Sequence, residues 1–150
     1  MRVYTCIMAS SLCICTNLRE AARNATALYD RALKPAGLKV TMFRLLRRIE
    51  ASPNAPISQL AADMQLDRST LGRNLKVLER QELVSLSGSA DGRVRAVVLS
   101  GKGREALARA LPLWCHAQEE ISARLGMDVE IVLETLSRLA IGPEEHCDAV

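Results

Sequence analysis

Asp67-Arg68-Ser69-Thr70-Leu71-Gly72-Arg73-Asn74-Leu75-Lys76-Val77-Leu78-Glu79-Arg80-Gln81 is the stretch whose reading decides the fold. Leu71, Leu75 and Leu78 fall at i, i+4 and i+7, which is one buried stripe of an amphipathic helix. Asp67 has the N-cap chemistry, a carboxylate that accepts from the first free N–H groups, so the helix runs from there to about Gln81. Arg68, Ser69, Thr70, Arg73, Asn74, Lys76 and Arg80 occupy the remaining surface. Alone, this pattern is ordinary. Three leucines at helical spacing are core in almost any helical protein, and charges opposite them are usually a solvated face.

The flanks make it informative. Before it, Ser58 can cap a short helix holding Leu60, Ala61 and Met64, with Gln65-Leu66 as a tight connection. After it, Leu83 to Ser87 alternates as a half-buried strand, Gly88 to Gly92 forms a flexible tip, and Val94 to Leu99 returns as the paired strand. Two short helices and a hairpin are the parts of a winged helix-turn-helix. A DNA major groove, ~12 Å wide, admits one helix and displays distinguishable base edges to it. With the leucines seated inward, Ser69, Thr70, Arg73 and Asn74 would face that groove, beside Arg68 at the helix start. Arg matches the O6/N7 pair of guanine, Asn matches adenine, and Ser or Thr serves base or phosphate. Lys76 and Arg80 suit phosphates or solvent. Arg93 and Arg95 flank the hairpin tip, where a guanidinium can enter a narrow minor groove.

Further out, the chain reads as helices. Cys15, Leu18, Ala22, Ala25, Tyr29 and Ala32 make one stripe of a helix over 12–33, ended by Pro35 and Gly37. Thr41 can cap a second helix with Met42, Leu45, Leu46 and Ile49 inward and Arg44, Arg47 and Arg48 outward. Residues 52–56 form a turn. Ser100 caps a long helix over Leu107, Ala110, Trp114, Ala117, Ile121 and Leu125, which Pro112 should bend or locally break. Asp128 caps a last helix lined by Val129, Val132, Leu133, Leu136 and Ala140. The expected fold is mainly α with a small β-hairpin wing.

Composition narrows the class. Hydrophobic residues are 49% of the chain but aromatics only 3%, so Leu and Ala supply the apolar mass, as helices prefer. At 150 residues the chain suits one well-buried core. The net charge of +3 is unevenly spread: residues 1–40 carry +4, residues 41–104 carry +5 and residues 105–150 carry −6. A polyanion would therefore sit on the first two thirds. Cys6, Cys13, Cys15, Cys115 and Cys147 are odd in number and irregularly spaced, which suits free thiols in a reducing cytoplasm better than a disulfide framework or a metal site. No cofactor motif is present, and no apolar run reaches the ~20 residues that span a bilayer. Thr5, Ser10 and Ser11 interrupt the apolar start, so a secretory leader is not expected.

On these residues the chain resembles the MarR family of transcriptional regulators, from about Cys13 to Leu139. The most specific stretch is Asp91-Gly92-Arg93-Val94-Arg95-Ala96-Val97-Val98-Leu99-Ser100-Gly101-Lys102-Gly103. It is similar to the family's wing signature of Asp-x-Arg, an apolar strand, Leu-Thr/Ser and a Gly three residues on. Asp67 to Leu71 and Leu78 to Val84 resemble the recognition helix and its exit. The resemblance implies a DNA-binding lobe at 41–100, dimerisation through 1–34 and 101–150, and a homodimer on a pseudo-palindromic operator of duplex DNA. It also implies a repressor's response, loss of DNA affinity when an effector binds or a cysteine oxidises. Isologous pairing would set two recognition helices one DNA turn apart, ~34 Å.

For the switch, the family's redox branch places a sensing cysteine at the start of the first helix, where Cys13 and Cys15 lie; ungapped counting puts Cys15 at that position. Tyr29 matches one of the tyrosines that bond the oxidised thiol, but Arg19 and Val40 replace the other two. Arg19 can still lower a thiolate pKa, and Cys115 or Cys147 of the partner subunit can resolve. Packing of small side chains at a helix crossing is the favoured reading of the cysteines, ahead of redox sensing. The other switch is a small organic effector in a cleft marked by Arg19, Tyr29, Trp114 and His116. Two other classes remain: a winged-helix protein-interaction module, which calls for a neutral face, and a thiol-dependent enzyme using Cys15. For the enzyme no Cys-His-Asn/Asp arrangement is discernible, His116 and His146 lying far along the chain. Arg93 stands where the family's minor-groove arginine does, so Arg93→Ala should weaken operator binding in a gel shift without unfolding the dimer, and unchanged affinity would refute that role.

Overall fold

A computed structural model, describing residues 13–88 and 95–139, orders the elements as α1 (Ile14–Leu33), a 3-10 turn (Lys34–Ala36), α2 (Val40–Ala51), α3 (Ile57–Met64), α4 (Arg68–Arg80), β1 (Val84–Gly88), β2 (Arg95–Leu99), α5 (Gly101–Leu125) and α6 (Val129–Ser137). This is the mainly helical, winged arrangement that the helix and hairpin patterns imply. The tip of the wing, Ala140 and the tail lie outside the described residues.

The core gathers around α4. Leu71, Leu75 and Leu78 meet Leu45, Leu46 and Ile49 of α2, Leu60 and Ala61 of α3, and Ala106, Leu107 and Ala110 of α5 in one cluster. The hairpin is antiparallel, with Val84 opposite Leu99 and Leu86 opposite Val97, so these four share the inward face. An isolated bridge between Pro56 and Ala96 ties the turn before α3 to the wing.

Helix starts divide into local and long-range solutions. Asp67 and Ser100 cap as their side chains suggest, accepting from the N–H of Thr70 and of Gly103. Thr41 does not cap α2. The helix begins at Val40, whose N–H donates to Asp30 Oδ1 of α1 at 2.8 Å, so a carboxylate from the preceding helix already fills the role. Ser58 does not cap α3 either, because α3 starts at Ile57 directly after Pro56, the fixed residue bridged to the wing. Asp128 precedes α6 without a side-chain cap bond. Pro112 does not break α5, which runs on to Leu125 with the proline on its exposed side.

The outer helices bury little within one chain. On α1 only Leu28 and Leu33 are buried, while Cys15, Leu18 and Ala22 of the expected stripe are exposed. No residue of α6 is buried, and Leu133 is 59% exposed. An apolar groove of about 510 Å³ opens between α1, α5 and α6, lined by Leu18, Ala22, Leu28, Ile121, Leu125 and Leu136 among others.

At the junction of wing and α5 the backbones leave no room for a side chain. The Leu83 carbonyl accepts the Ser100 N–H at 3.1 Å, and a Cβ on Gly103 would lie 2.1 Å from that same oxygen and 2.9 Å from Leu99 Cδ1. Gly103 is thus required by contact, not by backbone angle. Gly103→Ala should destabilise the fold by roughly 1–3 kcal/mol or more in denaturant melts, as overpacking does. Gly101→Ala, which meets nothing within 4 Å, should stay within about 0.5 kcal/mol. Equal midpoints for the two would contradict this packing.

Candidate nucleic-acid interface

With its leucines sealed, α4 has its opposite face determined by helical geometry. Ser69, Arg73, Lys76 and Arg80 succeed one another by four, three and four residues, and all are exposed. Arg68 is exposed at the first turn, while Thr70 and Asn74 are half-buried on the flank. Among the described residues, none of Arg68, Arg73, Lys76 and Arg80 forms an ion pair. Their charge is therefore uncompensated and available to a polyanion. Arg93 and the side chain of Arg95 lie outside the described residues; Arg95 opens β2 opposite Gly88.

Asp67 organises the first turn of α4. Its Oδ1 accepts the Thr70 N–H at 2.8 Å and the Ser69 hydroxyl, and its Oδ2 accepts the Thr70 hydroxyl at 2.7 Å. The Ser69 and Thr70 hydroxyls, followed by the Thr70 N–H, hold the carboxyl well below the usual carboxylate range. Arg73 Nη2 in turn donates to Thr70 Oγ1 at 3.0 Å. Sequence reasoning found the cap but not this extension, for which the signal is an Asp followed by hydroxyls at two and three residues and an Arg at six.

Arg48, read as an outward residue of α2, is half-buried and tied to α3. Its Nε donates to Asp63 Oδ2 at 2.8 Å, its Nη2 bonds the same oxygen, and Gln59 donates to Asp63 Oδ1 at 2.8 Å. Beside this clamp is an open cavity of about 430 Å³ lined by Phe43, Arg44, Arg47, Arg48, Met64 and Trp114 among others. The Phe43 and Trp114 rings stack with centroids 5.8 Å apart.

The four residues expected to mark one cleft are not brought together within the chain. Trp114 lines the cavity beside α2, whereas His116, two residues on and so on another face of α5, is exposed and 3.8 Å from Glu119. Tyr29 bonds Gln118 across α1 and α5 and borders a separate apolar hollow with Ala25, Val132 and Leu136. Burial pushes its phenol pKa up. Arg19 is exposed on α1. Cys13, Cys15 and Cys115 are free and exposed, and Cys6, Cys147 and His146 lie outside the described residues. The Cys13 thiol, at the N-cap of α1, has its pKa lowered by the Thr16 hydroxyl and N–H, not by Arg19.

Comparison with known proteins agrees with the geometry. The MarR family model matches residues 38–94. The DNA complex of the transcriptional regulator MosR of M. tuberculosis is 41% identical, with 85% of this chain and 92% of that chain covered and a TM-score of 0.76. A probable transcriptional regulator from Pseudomonas aeruginosa is 27% identical over 85% of this chain and 96% of that one, with a TM-score of 0.78. The HTH-type transcriptional regulator YxaD of Bacillus subtilis (strain 168) is 31% identical over 86 residues, 57% of this chain. That match spans only 60% of YxaD. With the recognition helix, hairpin and wing-to-α5 junction in place, and a relative matched nearly end to end, the chain belongs to the MarR family of transcriptional regulators.

Proposed function

We propose that the chain is a cytoplasmic repressor that binds a pseudo-palindromic duplex operator as a homodimer, one α4 per half-site in the major groove. The observation that carries this reading is the outward row of Ser69, Arg73, Lys76 and Arg80, exposed and without ion pairs among the described residues. A protein-interaction module would call for a neutral face there. Support also comes from MosR, whose structure at 41% identity is a complex with DNA.

In this reading residues 41–100 form the DNA-binding lobe, and 1–34 with 101–150 form the dimerisation helices. The exposed apolar faces of α1 and α6, and the groove between them, suit a second copy of the chain. Burying them would fix the spacing of the two α4 helices.

Release follows from a ligand or from oxidation. The cavity beside α2 pairs stacked rings with guanidinium groups, which suits an aromatic acid whose carboxylate meets Arg44 or competes with Asp63 for Arg48. For oxidation both Cys13 and Cys15 are exposed, and the Thr16 hydroxyl and N–H favour the thiolate form of Cys13. A thiolate here would attack a hydroperoxide oxygen, leaving a sulfenic acid and the alcohol.

One titration tests the core of this account. A labelled duplex, enriched by the protein from a random-sequence library, should bind two chains, with log affinity falling by about 0.9 per log salt for each phosphate neutralised. An aromatic carboxylate such as naphthoate should then quench Trp114, the single tryptophan, and release the duplex. Salt-independent binding, or one chain per duplex, would contradict the regulator reading; quenching without release would contradict the effector role.

A further inference from the structure

Arg73 lies in the middle of the outward row of α4, and its guanidinium is tethered. Nη2 donates to Thr70 Oγ1 at 3.0 Å, and that hydroxyl passes its own proton to Asp67 Oδ2 at 2.7 Å. A hydroxyl has one proton to give. Because the Asp67 carboxylate takes it, the Thr70 oxygen is left to accept, and an arginine N–H is what it accepts. The direction of the chain of bonds is therefore set by the cap. Thr70 is half-buried and β-branched, so its side chain has few alternative rotamers to wander into. Its hydroxyl, bonded on both sides, is not a free donor toward a phosphate or a base.

We propose that Thr70, anchored by Asp67, is a positioning residue that holds Arg73 in the pose in which it reads a guanine, and that Thr70 itself reads nothing. This rests on the proposal above that α4 enters the major groove. A guanidinium offers five N–H donors, and spending one on Thr70 leaves a forked pair for the O6 and N7 of guanine. A free arginine would have to give up the rotamer freedom of a long side chain on binding. One already tethered gives up less, and a tethered fork presents its donors in one orientation and so rejects other bases more strongly.

The cap separates from the relay. The Thr70 N–H reaches Asp67 Oδ1 at 2.8 Å through the backbone, whatever the side chain. Thr70→Val should therefore keep α4 capped, which a thermal melt checks, while removing the hydroxyl at nearly equal shape. Thr70→Ser keeps the hydroxyl.

The test is a double-mutant cycle on a duplex that the wild-type dimer enriches from a random-sequence library, with a scrambled duplex as reference. Thr70→Val should bind the enriched duplex about 10-fold more weakly and the scrambled duplex about equally, as expected for loss of one base-reading contact. Thr70→Ser should stay within about twofold of wild type, and Thr70→Val placed on Arg73→Ala should add less than about twofold, since the two act as one unit. Two results would overturn the relay: Thr70→Val binding like wild type, or losses from Thr70→Val and Arg73→Ala that multiply, which would mean Thr70 meets DNA itself. If the wild-type protein enriches no duplex, the DNA-binding proposal fails and the relay with it. Enrichment with Thr70→Val unaffected removes the relay alone.

Discussion

The burial of Leu71, Leu75 and Leu78 is the constraint on which the outward face of α4 depends. Each is removed from water against α2, α3 and α5, at about 1.5–3 kcal/mol apiece. A helix has only one rotation that satisfies three such anchors at once. Turning α4 by 100° would expose leucine and bury an arginine without a partner, and both changes cost free energy in the same direction. Ser69, Arg73, Lys76 and Arg80 therefore face outward because of residues they do not touch.

The same logic fixes the wing. Leu83 donates its N–H to the Leu78 carbonyl at 2.9 Å as α4 ends, and Glu82 takes a positive φ of 60° to let the chain turn. The Leu83 carbonyl then accepts from Ser100 and meets Gly103. Recognition helix, hairpin and α5 thus share one small junction, so the hairpin projects in a fixed direction from α4. The outer helices answer to a different requirement. Many of their apolar residues face solvent in a single chain. Under the proposed dimer, stability around α4 and the pairing of two copies would draw on different surfaces.

Legibility in the sequence followed distance along the chain. The stripe of α4, its cap at Asp67, the alternation along each hairpin strand and the cap at Ser100 are patterns of residues a few positions apart, and each was readable. The start of α2 was not, because Asp30, ten residues upstream, does what Thr41 was expected to do. The pairing of Arg48 with Asp63 was missed for the same reason, fifteen residues apart on different helices. Periodicity also cannot say whether an apolar stripe meets its own subunit or another, which is why Leu18 and Leu133 read like core residues and are exposed. Within one chain Trp114 and His116, two residues apart, point about 200° apart around α5, so they do not line one wall of a cleft together. The positions of the α4 surface residues were legible because the leucines dictate them; the link from Arg73 to Thr70 needed side-chain coordinates.

A face of α4 that meets DNA is shielded from small reagents in the complex, and chemical footprinting reads that shielding. Diethyl pyrocarbonate modifies both lysine and histidine, and Lys76 on α4 and His116 on α5 are both exposed. Adding an enriched duplex to the full-length protein should slow modification of Lys76 several-fold while leaving His116 as reactive as before. Lys76 reacting at the same rate with and without duplex, under conditions where the complex forms, would contradict the account.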